Sequence, residues 1–158
     1  IDDIQKLHIT TLKLGMSPRR VAYDASSGLI CVGCIDGGIA SNRSNIRSHS
    51  EISMGNCVRF FDDTTFNDVD RFDLDDFETI QALESVHLRI NFELNETSKN
   101  DQAATEPFLL IGTAYCYPEE DEPTLGRIIV LKCSRGNDAL SRKATQVASV
   151  QVKGGVFS

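Results

Sequence analysis

Long apolar runs, a surplus of basic residues and glycine-rich phosphate loops are all missing from this sequence. The longest uninterrupted apolar stretches, such as 108–111 and 128–131, are far shorter than the roughly 20 residues that a membrane-spanning helix needs. Gly33, Gly37 and Gly38 do not complete either G-x-G-x-x-G or G-x-x-x-x-G-K-[ST]. The sequence therefore gives no support for a transmembrane helix or for nucleotide binding.

Cysteine is odd in number, and positive charge is in deficit. Five cysteines in 158 residues do not make the even, closely spaced set of a disulfide scaffold, so we expect a reducing compartment. The formal net charge is −7, with acids concentrated in 62–78 and 119–122. Such a field repels phosphate backbones, which disfavours nucleic acid as a direct ligand of this chain.

What the sequence does contain is a series of short segments rich in Val, Ile and Phe, separated by turn residues. Apart from the stretch from Ile80 to Phe92, we predict strands at Ile4–Leu14, Arg20–Tyr23, Leu29–Ile35, Cys57–Phe61, Val69–Leu74, Phe108–Tyr115, Arg127–Cys133 and Val147–Val152. That makes about nine short strands with no long helix between them. The pattern favours antiparallel meanders, as in a sandwich, barrel or propeller.

The stretch from Ile80 to Phe92 allows two interpretations. Apolar residues recur at every second position, notably at Ile80, Ala82, Val86 and Leu88, which predicts a strand with one face toward a core. Ile80, Leu83, Val86 and Ile90 also have helical spacing, so an amphipathic helix is the alternative.

Two polar segments, 40–53 and 95–106, are predicted to leave the sheets as loop insertions. Nine strands correspond to about two four-stranded propeller blades, which cannot close a ring. The chain also begins with Ile1 and stops within an alternating apolar run, so we expect 1–158 to be a segment of a larger β-propeller.

Most candidate reactive groups have a simpler structural interpretation. Cys31 and Cys34 have redox or half-zinc spacing, but residues three apart on a strand point to opposite faces, so we expect packed thiols. The acids of 62–78 include no glycine for a calcium loop, which favours solvated turn and edge charges. A cysteine-dependent hydrolase using His8 or His87 stays an open alternative, although no spacing selects a thiol. We therefore expect no catalytic, metal or cofactor site.

Exposed polar clusters are the remaining candidates for a binding role. Arg43, Arg47 and His49 form the only basic cluster, without interleaved aromatic residues, and we interpret it as a solvated loop. In the stretch 115–123, two prolines bracket four acids beside two tyrosines. Prolines lower the entropic cost of docking and tyrosines are favoured interface anchors. We predict partner binding through Tyr117, Glu119 and Glu120, with a plain exposed turn as the alternative.

Three stretches, in this order, carry a resemblance to a known family. They are 3–9 (DIQKLHI) with 17–20 (SPRR), 111–128 with its IGTA, YPEE, EP and GRI elements, and 152–156 (VKGGV). Together they resemble the family of damage-specific DNA-binding protein 1, whose C-terminal region is shared with the large subunits of the polyadenylation factor and of a splicing factor. The likeness runs from end to end, interrupted at 40–53 and 95–106.

The resemblance implies an all-β, WD40-like propeller segment without catalytic residues, and a scaffold found in nucleus and cytoplasm. The implied role is that of an adaptor linking a cullin-4 ubiquitin ligase to substrate receptors, with the cullin held by another propeller. Damaged DNA would be reached through a partner subunit. The alternative within the same fold is a large-subunit scaffold in polyadenylation or splicing.

Overall fold

The computed structural model describes residues 9–36, 55–90, 104–136 and 141–157. These residues form eight strands: β1 Ser17–Asp24, β2 Leu29–Ile35, β3 Cys57–Asp62, β4 Asp68–Asp73, β5 Glu78–Arg89, β6 Thr105–Tyr115, β7 Leu125–Arg135 and β8 Arg142–Lys153. They make two four-stranded sheets, β1-β2-β3-β4 and β5-β6-β7-β8, and every neighbouring pair is antiparallel. The predicted all-β fold of two four-stranded meanders, as in propeller blades, is confirmed.

The core lies between the two sheets because alternate residues of each strand point toward the other sheet. From the first sheet, Leu29 and Cys31 of β2 and Val58 and Phe60 of β3 enter one buried cluster. The second sheet contributes a matching apolar set, which consists of Ile80, Leu83, Leu109, Ile111, Ile129, Leu131 and Ala144. Gly33 lets the sheets approach closely, because a side chain there would collide with Ile80.

The opposite face of the first sheet carries a second buried cluster of Val32, Cys34, Cys57 and Phe61. Leu14 and Met16 pack against it from the segment before β1. We predicted a strand over 4–14, and this prediction is wrong for 9–14, which has no ladder partner; residues 4–8 lie outside the described part of the chain. The Leu14 carbonyl instead accepts a 2.6 Å hydrogen bond from Arg59, and Gly15 turns the chain with φ 68°.

Strand β5 confirms the strand interpretation of the stretch from Ile80, and the helix alternative is wrong. Its inward face differs from the predicted one, because the pairing with β6 shifts between Ile80 and Ala82. Beyond an extra residue in one strand, the side chains that would have faced the core point away from it, and the others point inward. Ile80 and then Leu83 are therefore buried, while Leu88 at the far end is 38% exposed.

Two further expectations need correction. The predicted loop 95–106 overlaps β6, because Thr105 and Glu106 already pair with Arg89 and Leu88; the predicted loop 40–53 lies outside the described residues. Within the acidic stretch 62–78, Asp62 and Glu78 are buried rather than solvated. No helix in the described part of the chain has the length and apolar character needed to cross a membrane.

Candidate partner-binding site

The strand connections gather at two ends of the sheets, which we name by their contents. The turn end holds the connections β1–β2 and β3–β4, at 25–28 and 63–67, together with residues 136 and 141 between β7 and β8. The aromatic end holds the connections β4–β5 and β6–β7, at 74–77 and 116–124. The predicted residues Tyr117, Glu119 and Glu120 all lie at the aromatic end.

Beneath the aromatic end is a buried carboxylate. Glu78, the first residue of β5, is 0% exposed. One of its oxygens accepts 2.6 Å hydrogen bonds from Thr113 Oγ1 and Arg127 Nε, and the other accepts from Arg127 Nη2 at 2.7 Å and from the Asp75 amide at 2.8 Å. A buried charge needs such complete pairing to be tolerated. The bidentate guanidinium contact also fixes the relative position of β5 and β7.

Arg127 joins this carboxylate to the neighbouring connection. Its Nη2 lies 3.4 Å from Asp75 Oδ2, and its backbone amide donates to Thr113 Oγ1 at 3.2 Å. The hydrogen bonds to Glu78 raise the pKa of Arg127 above its ordinary value. Arg127 is therefore a structural cation of the site, and the carboxylates of Glu78 and Asp75 neutralise its charge.

Glycines allow the strands and the segment after β8 to approach this network. A Cβ at Gly126 would lie 2.5 Å from the Gly154 carbonyl oxygen and still closer to that of Thr113. A Cβ at Gly112 would lie 2.7 Å from the Val156 side chain. Several residues of the stretches that carry the family resemblance, at 112–113, 126–127 and 154–156, thus pack on one another, and Thr113 and Arg127 among them contact Glu78.

Tyr115 links the buried network to the surface. Its hydroxyl donates a 2.7 Å hydrogen bond to Asp75 Oδ2, and its ring stacks on Tyr117 with centroids 5.9 Å apart and planes at 12°. Burial, together with the bond to Asp75, raises the pKa of Tyr115 to about 12. Tyr115 therefore stays neutral and holds the inner side of Tyr117.

The outer side of Tyr117 meets Phe77, a residue that our sequence analysis did not select. The two ring centroids are 5.6 Å apart, and Phe77 is 55% exposed. Its backbone has φ 62°, which is uncommon for a bulky residue, and its carbonyl accepts from Cys116 N at 2.9 Å. In the sequence, the only sign of an exposed side chain at Phe77 was its position between two acidic residues and a predicted strand.

The predicted acids of the β6–β7 connection have different roles. Glu119 is exposed. The Glu120 amide donates to the Tyr117 carbonyl at 3.1 Å, and its carboxylate accepts from the Thr124 hydroxyl at 3.1 Å. Glu120 thus stabilises the loop through its hydrogen bonds within it, whereas the Glu119 side chain is exposed to solvent. Whether these residues contact a partner stays a prediction.

The thiols of the chain are mostly packing groups. Cys31 and Cys34 are both 0% exposed and lie in the two different core clusters, as expected from their spacing on a strand. Burial raises the pKa of Cys34, and it raises that of Cys57 to about 11. Among the described residues, no group of three or more His, Cys, Asp or Glu could hold a metal ion.

Cys133 differs, because a hydrogen bond from Cys31 lowers its pKa. The groups acting on it are Cys31, Asp24, Asp70 and Ser27. His87, the histidine that the described ranges contain, is exposed on β5 and is not among them; His8 and His49 lie outside these ranges.

Comparison with known proteins agrees with this arrangement. Residues 55–158, about two thirds of the chain, match the family described as CPSF A subunit region. DNA damage-binding protein 1a of Arabidopsis thaliana is 35% identical over 100% of this chain and 12% of its own length. DNA damage-binding protein 1 of Solanum lycopersicum is 32% identical, and that of Oryza sativa subsp. japonica 31%, with the same shares covered. The chain spans only about an eighth of these relatives.

The resemblance found in the sequence is therefore confirmed. The matched region includes β3 to β8, and with them the whole network around Glu78 and the ring cluster above it. The chain belongs to the CPSF A subunit region family, and it is similar over its whole length to DNA damage-binding protein 1 of plants.

Proposed function

We propose that this chain is a non-catalytic scaffold segment of a cullin-4 ubiquitin ligase adaptor, which holds substrate receptors in the nucleus and the cytoplasm. The observation that carries the proposal is the similarity of the entire chain to DNA damage-binding protein 1. The adaptor role itself comes from the family resemblance.

The aromatic end supports a binding role for Tyr117, Glu119 and Glu120. Tyr117 lies between Tyr115 and the exposed Phe77, and Glu119 is exposed beside it. The network around Glu78 joins β5 and β7, and the β6–β7 connection that carries these residues is held at its ends by β6 and β7, so that docking costs little loss of conformational freedom. This is what a surface for a receptor needs.

The name of the relatives refers to damaged DNA, and we infer that this chain contributes to damage recognition through a partner subunit. With a net charge of −7 the chain repels phosphates on average. Direct contact with DNA therefore belongs to a partner that supplies the positive charge.

A second candidate function is a scaffold in polyadenylation or splicing. The match of 55–158 to the CPSF A subunit region favours it, because that family is described by its polyadenylation-type subunit rather than by the damage-binding one. The same fold and the same buried network would serve either assembly.

Affinity purification of the intact protein from its own cells, followed by mass spectrometry, separates the two. We expect cullin-4 together with substrate receptors. Recovery of polyadenylation or splicing subunits in their place would overturn the ligase proposal in favour of the second function.

Variants of the intact protein then test the site. Tyr117→Ala combined with Glu119→Ala should reduce receptor recovery while cullin-4 recovery is unchanged, because another part of the protein holds the cullin. Tyr23→Ala is the matched control, since Tyr23 is 53% exposed at the turn end. Equal receptor recovery by both variants would remove Tyr117 and Glu119 from the receptor site.

A further inference from the structure

We propose that the aromatic end recognises a basic segment of a partner protein, with an arginine side chain stacked on the ring cluster of Phe77, Tyr115 and Tyr117. The inference rests on the proposed scaffold function and names the chemistry of the partner at the same site. An exposed ring cluster, an excess of negative charge around it, and a rigid mounting each contribute to the argument.

The rings form an exposed apolar surface. Phe77 is 55% exposed although it contacts Tyr117, so a large part of its face is open to a partner. Tyr115 behind it is buried and stacked, which leaves Phe77 and Tyr117 as the outer members of a three-ring group. Aromatic faces attract cations through their negative quadrupole, and guanidinium groups stack on them more often than ammonium groups do.

The two chain segments that carry the rings have charge of one sign. The segments 75–78 and 115–124 hold seven acidic residues and no Lys, Arg or His. Arg127, which reaches these segments from β7, is occupied by Glu78 and Asp75. The carboxylates of 119–122 remain in excess, and Asp76 adjoins Phe77 in the chain. This charge complements a basic partner and repels both acidic proteins and nucleic acid.

The surface is held in place before any partner arrives. Asp75 accepts from the Tyr115 hydroxyl, the Phe77 carbonyl accepts from Cys116, and the Tyr117 carbonyl accepts from the Glu120 amide. The hydroxyl bond therefore fixes the Tyr115 ring, and the main-chain bonds fix the backbone that carries Phe77 and Tyr117. A partner that stacks on these rings does not have to order them first.

The turn end offers an internal control. Phe66 also has positive φ, at 58°, and is 38% exposed. It has no ring partner among the residues that the structure describes. The nearby carboxylate of Asp62 is paired with Arg142. Phe66 thus shares the backbone conformation of Phe77 but lacks the ring cluster.

The test is direct binding to the intact protein, measured by fluorescence anisotropy at low ionic strength. The probe is a blocked, labelled hexapeptide of alternating arginine and glycine. We expect Phe77→Gly to weaken binding by about 3-fold to 30-fold, the range that corresponds to cation–π energies at exposed to desolvated sites. Phe66→Gly should leave the affinity unchanged. Equal affinities of wild type and Phe77→Gly would overturn the proposal.

A second variant does not depend on the backbone at Phe77. Glu119→Gln with Asp121→Asn and Glu122→Gln alters exposed side chains only and should weaken the same peptide, with a smaller dependence on salt. Replacing arginine by lysine in the probe should also weaken it, because an ammonium group cannot stack as a plane. If the lysine peptide binds as tightly as the arginine peptide, the stacking is contradicted. If a blocked oligothymidylate binds more tightly than the arginine peptide and Phe77→Gly weakens that binding, the proposal is overturned in favour of nucleic acid.

Failure of this inference can be distinguished from failure of the proposed function. If receptors are recovered with the intact protein and Phe77→Gly changes neither their recovery nor peptide binding, the inference is wrong and the scaffold proposal stands. If Phe77→Gly abolishes peptide binding while only RNA-processing subunits are recovered, the basic partner is supported and the ligase assignment fails.

Discussion

The two ends of the sheets use similar residues for different purposes. At the turn end, the Asp62 carboxylate accepts from the Thr64 and Thr65 amides and pairs with Arg142 of the other sheet at 2.6 Å. At the aromatic end, Glu78 forms an ion pair with Arg127. The acids of the 116–124 connection have no basic residue within that connection. Matched charge joins the sheets at one end, whereas the loop acids at the other end are available to the partner that we propose.

The comparison also separates structural from binding roles within one acidic stretch. Asp62 and Glu78 lie at its two limits, are both buried, and are each paired with an arginine distant in the sequence. Asp75, which lies between them, is exposed but accepts from the Tyr115 hydroxyl, so it belongs with the structural acids. Variants at each end should therefore fail in different ways.

The largest effect should follow from removing the Glu78 carboxylate. Glu78→Ala leaves the Arg127 guanidinium half-buried without its bidentate partner, and breaking one side of a buried pair costs about 3–5 kcal/mol. We expect this loss in the free energy of local opening, measured by native-state hydrogen exchange of β5 and β7 amides in the intact protein.

The control for Glu78 is a double replacement. Glu78→Met with Arg127→Met removes both charges and fills similar volume, so most of the lost free energy should return. A double variant as unstable as Glu78→Ala would mean that the hydrogen bonds, and not the unpaired charge, dominate at this site.

A smaller effect is expected for Gly126→Ala. The added methyl would meet two carbonyl oxygens, of Thr113 and Gly154, which are backbone atoms that cannot rotate away. Overpacking of this kind costs about 1–3 kcal/mol. Gly55→Ala is the matched control, because its Cβ would have nothing within 4 Å. Pulse proteolysis of the intact protein in urea should show earlier cleavage for the first variant alone.

The turn end should be sensitive to acid. Hydrogen bonds from the Thr65 and Thr64 amides lower the pKa of Asp62 below its ordinary value. The ionised group therefore contributes stability above about pH 4, and this contribution is lost as the pH falls through the lowered pKa. Hydrogen exchange of the 63–67 amides, corrected for intrinsic rates, should show this loss in wild type and not in Asp62→Asn. A pH dependence unchanged in Asp62→Asn would assign the acid sensitivity to another group.

Much of the fold could be predicted from the sequence because its strands have a simple period. In β2, alternation places Cys31 and Cys34 in different clusters, and the turn residues around 26–28 and 62–65 mark where the strands end. The bulge in β5 could not be read in this way, because one extra residue changes the inward face without changing the composition.

The candidate site was only partly predictable for a related reason. Tyr117 was selected because tyrosine and proline in an acidic loop are a local signal. Phe77 and Glu78 depend on partners about 40–50 residues away, Tyr117 and Arg127, which only the pairing of β5 with β6 and β7 brings near. No local pattern distinguishes Glu78 from the solvated acids that precede it.

The smallest expected difference compares the two phenylalanines with positive φ. Replacement by glycine relieves a strain of about 1–2 kcal/mol at either position, and the freedom gained by the unfolded chain offsets about 0.5–1 kcal/mol of it. Phe77→Gly also removes the ring contact with Tyr117, which is equivalent to about 0.5–1.5 kcal/mol. Native-state hydrogen exchange should therefore find the Phe77 variant less stable than the Phe66 variant by that last amount. Equal stabilities would mean that the Tyr115 stack alone holds Tyr117, and that Phe77 is kept for contact with a partner and not for the stability of the loop.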